Sequence, residues 1–316
     1  MAKKSLVDPC KRNRYSGKCN QSFDLMGGVE NVIRKGSTVV LKPNAGHAEP
    51  PETSVCTNPE VVRAVIREVK KANPKRIIVA EAAAIGCDTE ECFRVSGIAA
   101  VAEEEGVELK DIKRDKDLVN VAVRGYRSNI DHVLLPKFLM EADHLINLPI
   151  LKAHASMVFS GALKNIKGVV QDKVHMQMHQ QNLTMAMMDV WSACRADINI
   201  MDAMRAASGY SPHMPVPIET NMILGSKDPV AIDRVACEVT GIDTSCVDYF
   251  KVAKETGLGN YDLEDIEVVG NTIEESYKKM WIPYIGDMST RWPEYDVNVK
   301  VHVPAVRHFL QLIWKN

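Results

Sequence analysis

Residues 142–179 read ADHLINLPILKAHASMVFSGALKNIKGVVQDKVHMQMH, a stretch in which one apolar strand pattern is followed by polar groups of several chemistries. It begins with HLINLPIL at residues 144–151, a nearly continuous apolar run of strand length that predicts a strand buried in a sheet. Polar side chains follow as soon as the run ends. Because α/β proteins place ligand-contacting groups just beyond their strand ends, we expect the functional site here. Polar residues that fall inside the stretch include Lys152, His154, Ser156, Ser160, Lys164, Asn165, Lys167, His175 and His179.

Upstream of this stretch, strand patterns alternate with helix patterns. Residues 37–41 (STVVL) and 76–80 (RIIVA) are β-branched and apolar, and they predict interior strands. Between them, Asn58 and Pro59 form a cap and a first-turn proline that open an amphipathic helix through Lys71. This alternation predicts an α/β fold, a mainly parallel sheet with helices on both faces. The pattern leaves open whether the chain forms one α/β lobe or two.

The same patterns predict the remaining elements and a division of the chain. Helices are expected at residues 22–35, from the end of the small-residue loop 82–89 through Glu105, and at 133–141. Strands are expected near Val107 and at residues 118–123, 197–201, 221–225 and 266–270. The chain then divides into an N-terminal extension with the first helix (1–36), an α/β domain (37–275) and a C-terminal cover segment (276–316).

Composition restricts the class of partner. The 316-residue chain is 46% hydrophobic and 25% charged, so it can bury a core without disulfide support. Its net charge of −2 provides no long-range attraction for nucleic acid or an anionic membrane, and we expect neither as a partner. No apolar stretch reaches bilayer-spanning length, and Met1 is not followed by the apolar core of a signal peptide. These features predict a cytoplasmic protein.

The 8 cysteines do not have the spacing of a metal or cluster motif, because no two are separated by the two residues typical of zinc ribbons and ferredoxin-like loops. Cys194 and Cys237 have apolar neighbours and are predicted to be core residues. Two polar-flanked pairs leave a redox or metal role open beside a structural one, namely Cys10 with Cys19 and Cys87 with Cys92.

Polar groups follow the two upstream strands as well. Lys42 and Asn44 come directly after the first strand, where a cation and an amide can hold a carboxylate or phosphate, although a capped turn explains them equally well. Glu81 ends the next strand beside the small residues 82–84. It is suited to act as a general base or ligand, with a buried ion pair as the alternative.

A later predicted helix contains an aspartate, Asp233, at a position that is expected to be buried. Asp228 reads as a helix cap, but Asp233 lies one turn later among apolar residues. A buried carboxylate needs a partner, and Lys152 or Lys164 is suitable.

His175 and His179 are four residues apart, so on a helix their rings would lie on one face, a common arrangement for a pair of metal ligands. No glutamate of the helical metalloprotease motif accompanies them. The pattern predicts either a divalent metal site or a site of proton transfer, with chance pairing of surface histidines as the alternative. Nearby methionines at helical spacing are expected to form an apolar face.

Six segments together resemble the bacterial and archaeal domain-of-unknown-function family numbered 362, in the same order and spacing from about residue 37 to 271. They are VLKPN (40–44), IIVAE (77–81), DHLINLPILKAH (143–154), GALKNIKG (161–168), IMDA (200–203) and DPVAID (228–233). Some family members carry an attached ferredoxin-like cluster domain. This chain lacks four closely spaced cysteines, so the resemblance implies no iron–sulfur cluster here. The positions that it supports are Lys42, Asn44, Glu81, Lys152, His154, Lys164, Asn165, His175, Asp202 and Asp233.

Two functions are consistent with these residues. The first is an enzyme that acts on a small anionic metabolite, with help from a metal or redox partner. Its catalytic residues would be Lys152, His154, Lys164 and Glu81, its ligand-binding residues Lys42, Asn44, Asn165, Asp202 and Asp233, and its metal ligands His175 and His179. The second is a non-catalytic accessory protein of anaerobic redox metabolism that binds a cofactor, metal or partner protein. Neither a glycine-rich phosphate loop nor a GxSxG elbow is present to narrow the reaction.

Overall fold

The computed structural model describes residues 5–7, 15–123, 128, 130–155, 157–180 and 182–281. The predicted site residues all lie within these ranges, whereas Cys10, Ser156 and most of the C-terminal segment lie outside them. The strands are β1 (Ser5–Val7), β2 (Thr38–Pro43), β3 (Arg76–Glu81), β4 (Glu108–Asp111), β5 (Leu118–Ala122), β6 (His132–Pro136), β7 (His144–Leu148), β8 (Ile150–His154), β9 (Val158–Ser160), β10 (Ile198–Tyr210), β11 (Met214–Ser226) and β12 (Ile266–Val268). The α-helices are α1 (Tyr15–Leu25), α2 (Val29–Val32), α3 (Pro59–Lys71), α4 (Thr89–Val95), α5 (Ile98–Glu104), α6 (Lys137–Met140), α7 (Ala162–Asn165), α8 (Asp172–His179), α9 (Leu183–Ala193), α10 (Pro229–Thr240), α11 (Asp248–Thr256) and α12 (Ile273–Ser276).

The main sheet has eight strands in the order β4-β3-β2-β7-β10-β8-β9, with β11 also paired to β10. The pairs β2–β3, β3–β4, β2–β7, β7–β10 and β8–β10 are parallel, whereas β10–β11 and β8–β9 are antiparallel. The fold is therefore α/β with a mainly parallel sheet, as the sequence predicts.

Helices cover both faces of this sheet because successive strand residues point to opposite sides. Val39 and Leu41 of β2 belong to one buried apolar cluster, which includes residues of α1 and α3. Val40 between them belongs to the other cluster, which includes residues of α9 and α10. Continuous apolar strand sequences such as TVVL are the consequence of burial on both faces.

The apolar run 144–151 forms two strands instead of one. It divides at Pro149 into β7 and β8, which pair one after the other along the same side of β10. The opposite side of β10 pairs with β11 over almost its whole length. Proline has no N–H to donate to a sheet ladder, and the carbonyl of Pro149 accepts the N–H of Asp202 at 2.8 Å where the strands divide.

The order of the strands defines a ligand-binding edge. From β2, the chain adds β3 and β4 on one side and later adds β7 on the other side. The strand order therefore reverses between β2 and β7, and open α/β sheets bind ligands in the crevice outside the carboxyl ends of the strands at such a point. Lys42 of β2 and Asn147 of β7 are register partners at this edge.

Some predicted elements differ from the structure. The helix predicted at residues 133–141 is wrong over its first part, since β6 occupies His132–Pro136 and only the short α6 follows. Burial alternates in β6 with the period of a strand, and its antiparallel partner β5 confirms the predicted strand at 118–123. Pro136 favours the extended conformation before α6.

Glycines interrupt two predicted helices. The helix expected at 22–35 is α1 and α2, separated at Gly27 and Gly28, which have φ angles of 106° and 87°. The helix expected to run through Glu105 is α4 and α5, separated at Gly97 with φ of 78°. Such left-handed backbone favours glycine and ends a helix. By contrast, α3 spans Pro59–Lys71 as predicted, with the Asn58 side chain capping it.

The strands predicted in the later half have a different arrangement from the βα pattern of the first half. The two predicted at 197–201 and 221–225 belong to β10 and β11, which form a long antiparallel hairpin. The third is β12, which pairs with β1 in a separate two-stranded sheet. Across the residues that the structure describes, no helix has both the length and the apolar character needed to cross a membrane.

Candidate functional site

The ends of β2 and β3 meet in a buried ion pair. Lys42 and Glu81 are 1% and 2% exposed, and Nζ of Lys42 lies 2.9 Å from Oε1 of Glu81. The Glu81 carboxylate also accepts the N–H groups of Ala45 and Ala82 at 3.0 and 2.9 Å. Burial lowers the pKa of Lys42 and raises the pKa of Glu81, and in each case the charge of the partner opposes the shift. These contacts support the ion-pair interpretation of Glu81, while its catalytic role stays a prediction.

A chain of side-chain amides links this edge to α7. Asn44 donates to Oδ1 of Asn165 at 2.8 Å, and Asn165 donates to Oδ1 of Asn147 at 2.8 Å. Asn147 donates in turn to Asn199 on β10 at 2.9 Å. Each amide presents one donor and one acceptor group, so the chain fixes the relative positions of β2, β7, β10 and α7. The structure thus brings the predicted residues Asn44 and Asn165 together.

Lys152 joins this network from β8. It is 4% exposed, and its ammonium donates to the carbonyl of Val55 at 2.7 Å and to Oδ1 of Asn44 at 3.2 Å. No carboxylate among the described residues forms an ion pair with it. Burial lowers the pKa of Lys152 to about 8, and the charge of Lys42 contributes to the lowering. Lys152 is therefore a buried cation held only by neutral acceptors.

Further basic side chains lie in the same region, and together with Lys152 they form what we term the basic cluster. Its members come from the ends of β2 and β8, from α7 and the turn after it, and from the β10–β11 turn. They are His47, Lys152, His154, Lys164, Lys167 and His213.

His47 and His154 are partly buried histidines of the cluster, and the neighbouring lysines lower the pKa of each. Burial, followed by the charges of Lys152 and then His213, lowers the pKa of His47 to about 3. Burial, followed by the charges of Lys164 and Lys152, lowers the pKa of His154 well below its ordinary value. Both imidazoles are therefore neutral at physiological pH, and the charges of Lys152 and Lys164 act on both. A neutral imidazole beside ammonium groups can accept a proton from a bound molecule.

The rings of His175 and His179 face Lys167. The Nε2 atom of His175 donates to the carbonyl of Lys167 at 2.8 Å, and Nζ of Lys167 lies 2.9 Å from Nε2 of His179. Burial lowers the pKa of His175 to about 4 and that of Lys167 to about 8. The Nδ1 atom of the buried His175 has no hydrogen-bond partner and lies 3.9 Å from Asp172. The pair supports Lys167 in this arrangement, and its predicted metal role is not tested.

No group of three His, Cys, Asp or Glu side chains within the described ranges is arranged to hold a metal ion. The cysteines near the site have other contacts. Sγ of Cys56 lies 3.1 Å from the carbonyl of His47, and Sγ of the partly exposed Cys87 lies 3.7 Å from Nδ1 of His47. Cys92 is buried, and burial raises the pKa of its thiol to about 12, which agrees with a structural role.

Asp233 has a different partner from the predicted one. Its carboxylate accepts the N–H groups of Ala162 and Leu163 at 2.6 and 3.0 Å, and the hydroxyl of Tyr249 donates to it at 3.2 Å. The prediction of a Lys152 or Lys164 partner is therefore wrong. The first N–H groups of a helix have no partner within the helix, and a carboxylate on α10 satisfies those of α7.

Asp202 also accepts backbone N–H groups and makes no contact with a lysine. Oδ2 accepts from Asn58 at 2.8 Å and Oδ1 from Met204 at 3.1 Å, and burial raises the pKa of the carboxyl to about 6. It ties the start of α3 to β10. Asp202 and Asp233 thus position elements of the site, while their predicted ligand-binding role is not tested.

Sequence reasoning missed three residues of the site. Asn147 lies inside an apolar strand. A polar amide at a strand position predicted to be buried could have indicated a site residue. His47 lies three residues beyond Asn44 on the same strand-end loop, which was a weak signal. His213 lies in the β10–β11 turn, far away in sequence, and its ring centroid is 6.5 Å from that of His47. Nothing local in the sequence indicates that these two rings meet.

Comparisons with known proteins identify a family whose model matches this chain. The family model described as Domain of unknown function (DUF362) matches residues 39–238. A protein of Synechocystis sp. described as thylakoid-associated is 28% identical over 244 residues, which cover 74% of this chain and 72% of that protein.

Two solved structures are similar at low identity. The lactate racemase apoprotein of Thermoanaerobacterium thermosaccharolyticum has a TM-score of 0.48 and 13% identity, covering 76% of this chain and 58% of that one. A protein of Thermotoga maritima solved by a structural genomics consortium has a TM-score of 0.47 and 16% identity, covering 71% and 58%. This chain therefore spans less than two thirds of the length of either structure.

Proposed function

The chain belongs to the DUF362 family, as its motifs predict, and we propose that it is an enzyme that binds a small anionic metabolite in the basic cluster. The observation that carries this proposal is the charge arrangement. Lys152 and Lys167 carry ammonium groups that both act on His154, and neither forms an ion pair with a carboxylate of the described residues. Buried cations require an anionic partner, and a bound metabolite would supply it.

The position of the cluster supports the same proposal. It lies beyond the carboxyl ends of β2, β7 and β8, next to the reversal of strand order between β2 and β7. Among the described residues, Glu81 is the carboxylate that pairs with a lysine at this edge. Its partner is Lys42, so Glu81 does not neutralise the basic cluster. A ligand with a carboxylate or phosphate group would therefore meet donors from the lysines of the basic cluster.

The chemistry proposed for this site is proton transfer on a bound anion. The ammonium of Lys152 would hold the negative group, because its distance to two neutral acceptors already fixes its position. The imidazole of His154 would then accept or return a proton, since its lowered pKa keeps it neutral at physiological pH. This division of roles separates binding from proton transfer and can be tested by two substitutions.

The test measures binding and turnover together. Small carboxylates and phosphate esters are screened by calorimetry, and those that bind are assayed for conversion by wild type, Lys152→Ala and His154→Ala. We expect Lys152→Ala to lose mainly binding and His154→Ala to lose turnover by about 100-fold, the usual contribution of a general base. The exposed Lys35→Ala serves as the matched control. Full activity in both folded site variants would refute the proposal.

A second candidate is the non-catalytic accessory protein. The contact between the partly exposed Cys87 and His47 favours it, because a thiol at the edge of the cluster offers a redox-sensitive contact for a partner protein. This candidate predicts tight binding of an anion or partner with no conversion. Its test is the same screen extended to partner capture by wild type and Cys87→Ser.

A further inference from the structure

The four lysines of the site differ in how their amines are held. Lys42 pairs with Glu81, Lys152 donates to Val55 and Asn44, and Lys167 contacts His179. Lys164 is the exception within the described part of the chain, because its amine has no hydrogen-bond or ion-pair partner there. Its side chain is half-buried, and its amine is not fully enclosed.

The backbone that carries Lys164 is fixed from two directions. Asp233 holds the N-terminal N–H groups of α7 at 2.6 and 3.0 Å, and the neighbouring residue Asn165 is held by Asn44 and Asn147 at 2.8 Å each. Rigid support on both sides of one residue is the usual way to present a reactive side chain in a defined place. The backbone of Lys164 is thus held in place beside the other lysines of the site.

The surroundings of Lys164 favour the neutral amine. Burial lowers its pKa well below the ordinary lysine value, and the charges of Lys167 and Lys152 lower it further. A desolvated lysine next to other cations is the arrangement that activates an amine as a nucleophile toward carbonyl groups. The nearby imidazole of His154 is neutral as well and can carry a proton.

We propose that Lys164 is a nucleophile that forms an imine with the carbonyl carbon of a 2-oxo carboxylate held in the basic cluster. This inference rests on the proposed function, since Lys152 would bind the carboxylate group of the same molecule. The amine attacks the carbonyl carbon, a C–N bond forms, and the carbonyl oxygen takes up the proton that the nitrogen releases. The carbinolamine hydroxyl then leaves as water together with the remaining N–H proton, and the nitrogen lone pair completes the C=N bond. No oxidant or reductant is needed.

The test is reductive trapping with glyoxylate. Wild-type protein is incubated with glyoxylate and sodium cyanoborohydride at neutral pH, and carboxymethylated lysines are located by peptide mass mapping. We expect Lys164 to be modified at least about tenfold faster than the exposed Lys35, because each unit of lowered pKa raises the neutral amine fraction about tenfold. Lys164→Arg keeps a cationic side chain but cannot form the adduct, and its folding is checked by thermal unfolding.

Oxalate separates the two proposals because it carries carboxylates but no aldehyde or ketone group. If oxalate binds wild type and Lys164 is modified no faster than Lys35, the imine inference is overturned while anion binding stands. If Lys164 is modified selectively and oxalate slows the modification, both proposals are supported. If oxalate does not bind and Lys164 is not selectively modified, both are overturned. The wild-type mapping decides the imine inference even if Lys164→Arg fails to fold.

Discussion

Lys42 and Glu81 form an ion pair across neighbouring strand ends, with Nζ 2.9 Å from Oε1 and almost no exposure of either side chain. Gly168 packs directly on this pair. A Cβ atom on Gly168 would lie 2.1 Å from Oε1 of Glu81 and 2.7 Å from Nζ of Lys42. The pair thus connects β2, β3 and the turn after α7 at the edge where the basic cluster lies, and these contacts hold that edge together.

We expect single substitutions in the pair to destabilise the protein strongly. Glu81→Gln leaves a buried ammonium without its charge partner, and Lys42→Met leaves a buried carboxylate, each at a cost of about 3–5 kcal/mol in the free energy of unfolding. The double variant Lys42→Met/Glu81→Gln removes both charges and is expected to lose less than the sum of the single losses. Urea unfolding measures all three variants. Additive losses would show that the two side chains do not act as a pair.

Gly168→Ala is expected to destabilise the protein by about 1–3 kcal/mol, the usual cost of overpacking a close contact. The short distances to Glu81 and Lys42 leave no room for a methyl group unless the ion pair moves. The control is Gly17→Ala in α1, where a Cβ atom would meet nothing within 4 Å. That substitution should raise stability by about 0.5–1 kcal/mol through helix propensity. Equal effects of the two substitutions would contradict the packing argument.

Asp233 is expected to make stability fall as pH rises from about 4 to 7. Burial raises the pKa of its carboxyl from 3.8 to about 7, so the folded state holds this proton more tightly than the unfolded state does. The contribution is therefore fully present at low pH and is lost as pH rises through the folded-state pKa. Unfolding of wild type and Asp233→Asn is compared at both ends of this range. The difference should favour wild type by about 3 kcal/mol more at the acid end, whereas a constant difference would disprove the assignment.

Binding of oxalate should weaken as pH rises through 8. Burial lowers the pKa of Lys152 and of Lys167 to about 8, so these side chains lose the charge that attracts the anion above this pH. Between pH 7 and 9 we expect the dissociation constant to rise about tenfold for each lysine that contacts the anion. Calorimetry at both pH values measures this change. Lys152→Met should bind less tightly and show a smaller pH dependence, and an unchanged pH dependence would exclude Lys152 from the contact.

Metal analysis decides between the two roles open to His175 and His179. Because Nε2 of His175 bonds to the Lys167 carbonyl and Nε2 of His179 faces the Lys167 ammonium, a metal would have to bind the Nδ1 atoms or displace these contacts. We therefore expect protein purified without oxygen to contain no stoichiometric metal that depends on these histidines. Elemental analysis of wild type and His175→Ala/His179→Ala checks this. Loss of a bound metal in the variant would establish the pair as ligands.

Local patterns in the sequence were sufficient for much of this architecture. The bounds of α3 follow from Asn58, Pro59 and an amphipathic repeat, and β2 and β3 follow from short β-branched runs. The same reasoning predicts that polar residues of the stretch 142–179 lie near one sheet edge, because residues at the carboxyl ends of parallel strands share that edge. These features depend on neighbours a few residues apart, and a single sequence displays such neighbours directly.

Contacts between side chains that are far apart in the sequence depend on how the strands and helices pack together. The sequence shows that Asp233 needs a partner, but the docking of α10 against α7 determines that the partner is backbone N–H and not a lysine. The side-by-side placement of β2 and β7 brings Asn44 to Asn165, and the long β10–β11 hairpin brings His213 to His47. Strand order and helix docking are set by the packing of the whole core. No local pattern encodes them, so the basic cluster becomes visible only when the chain is folded.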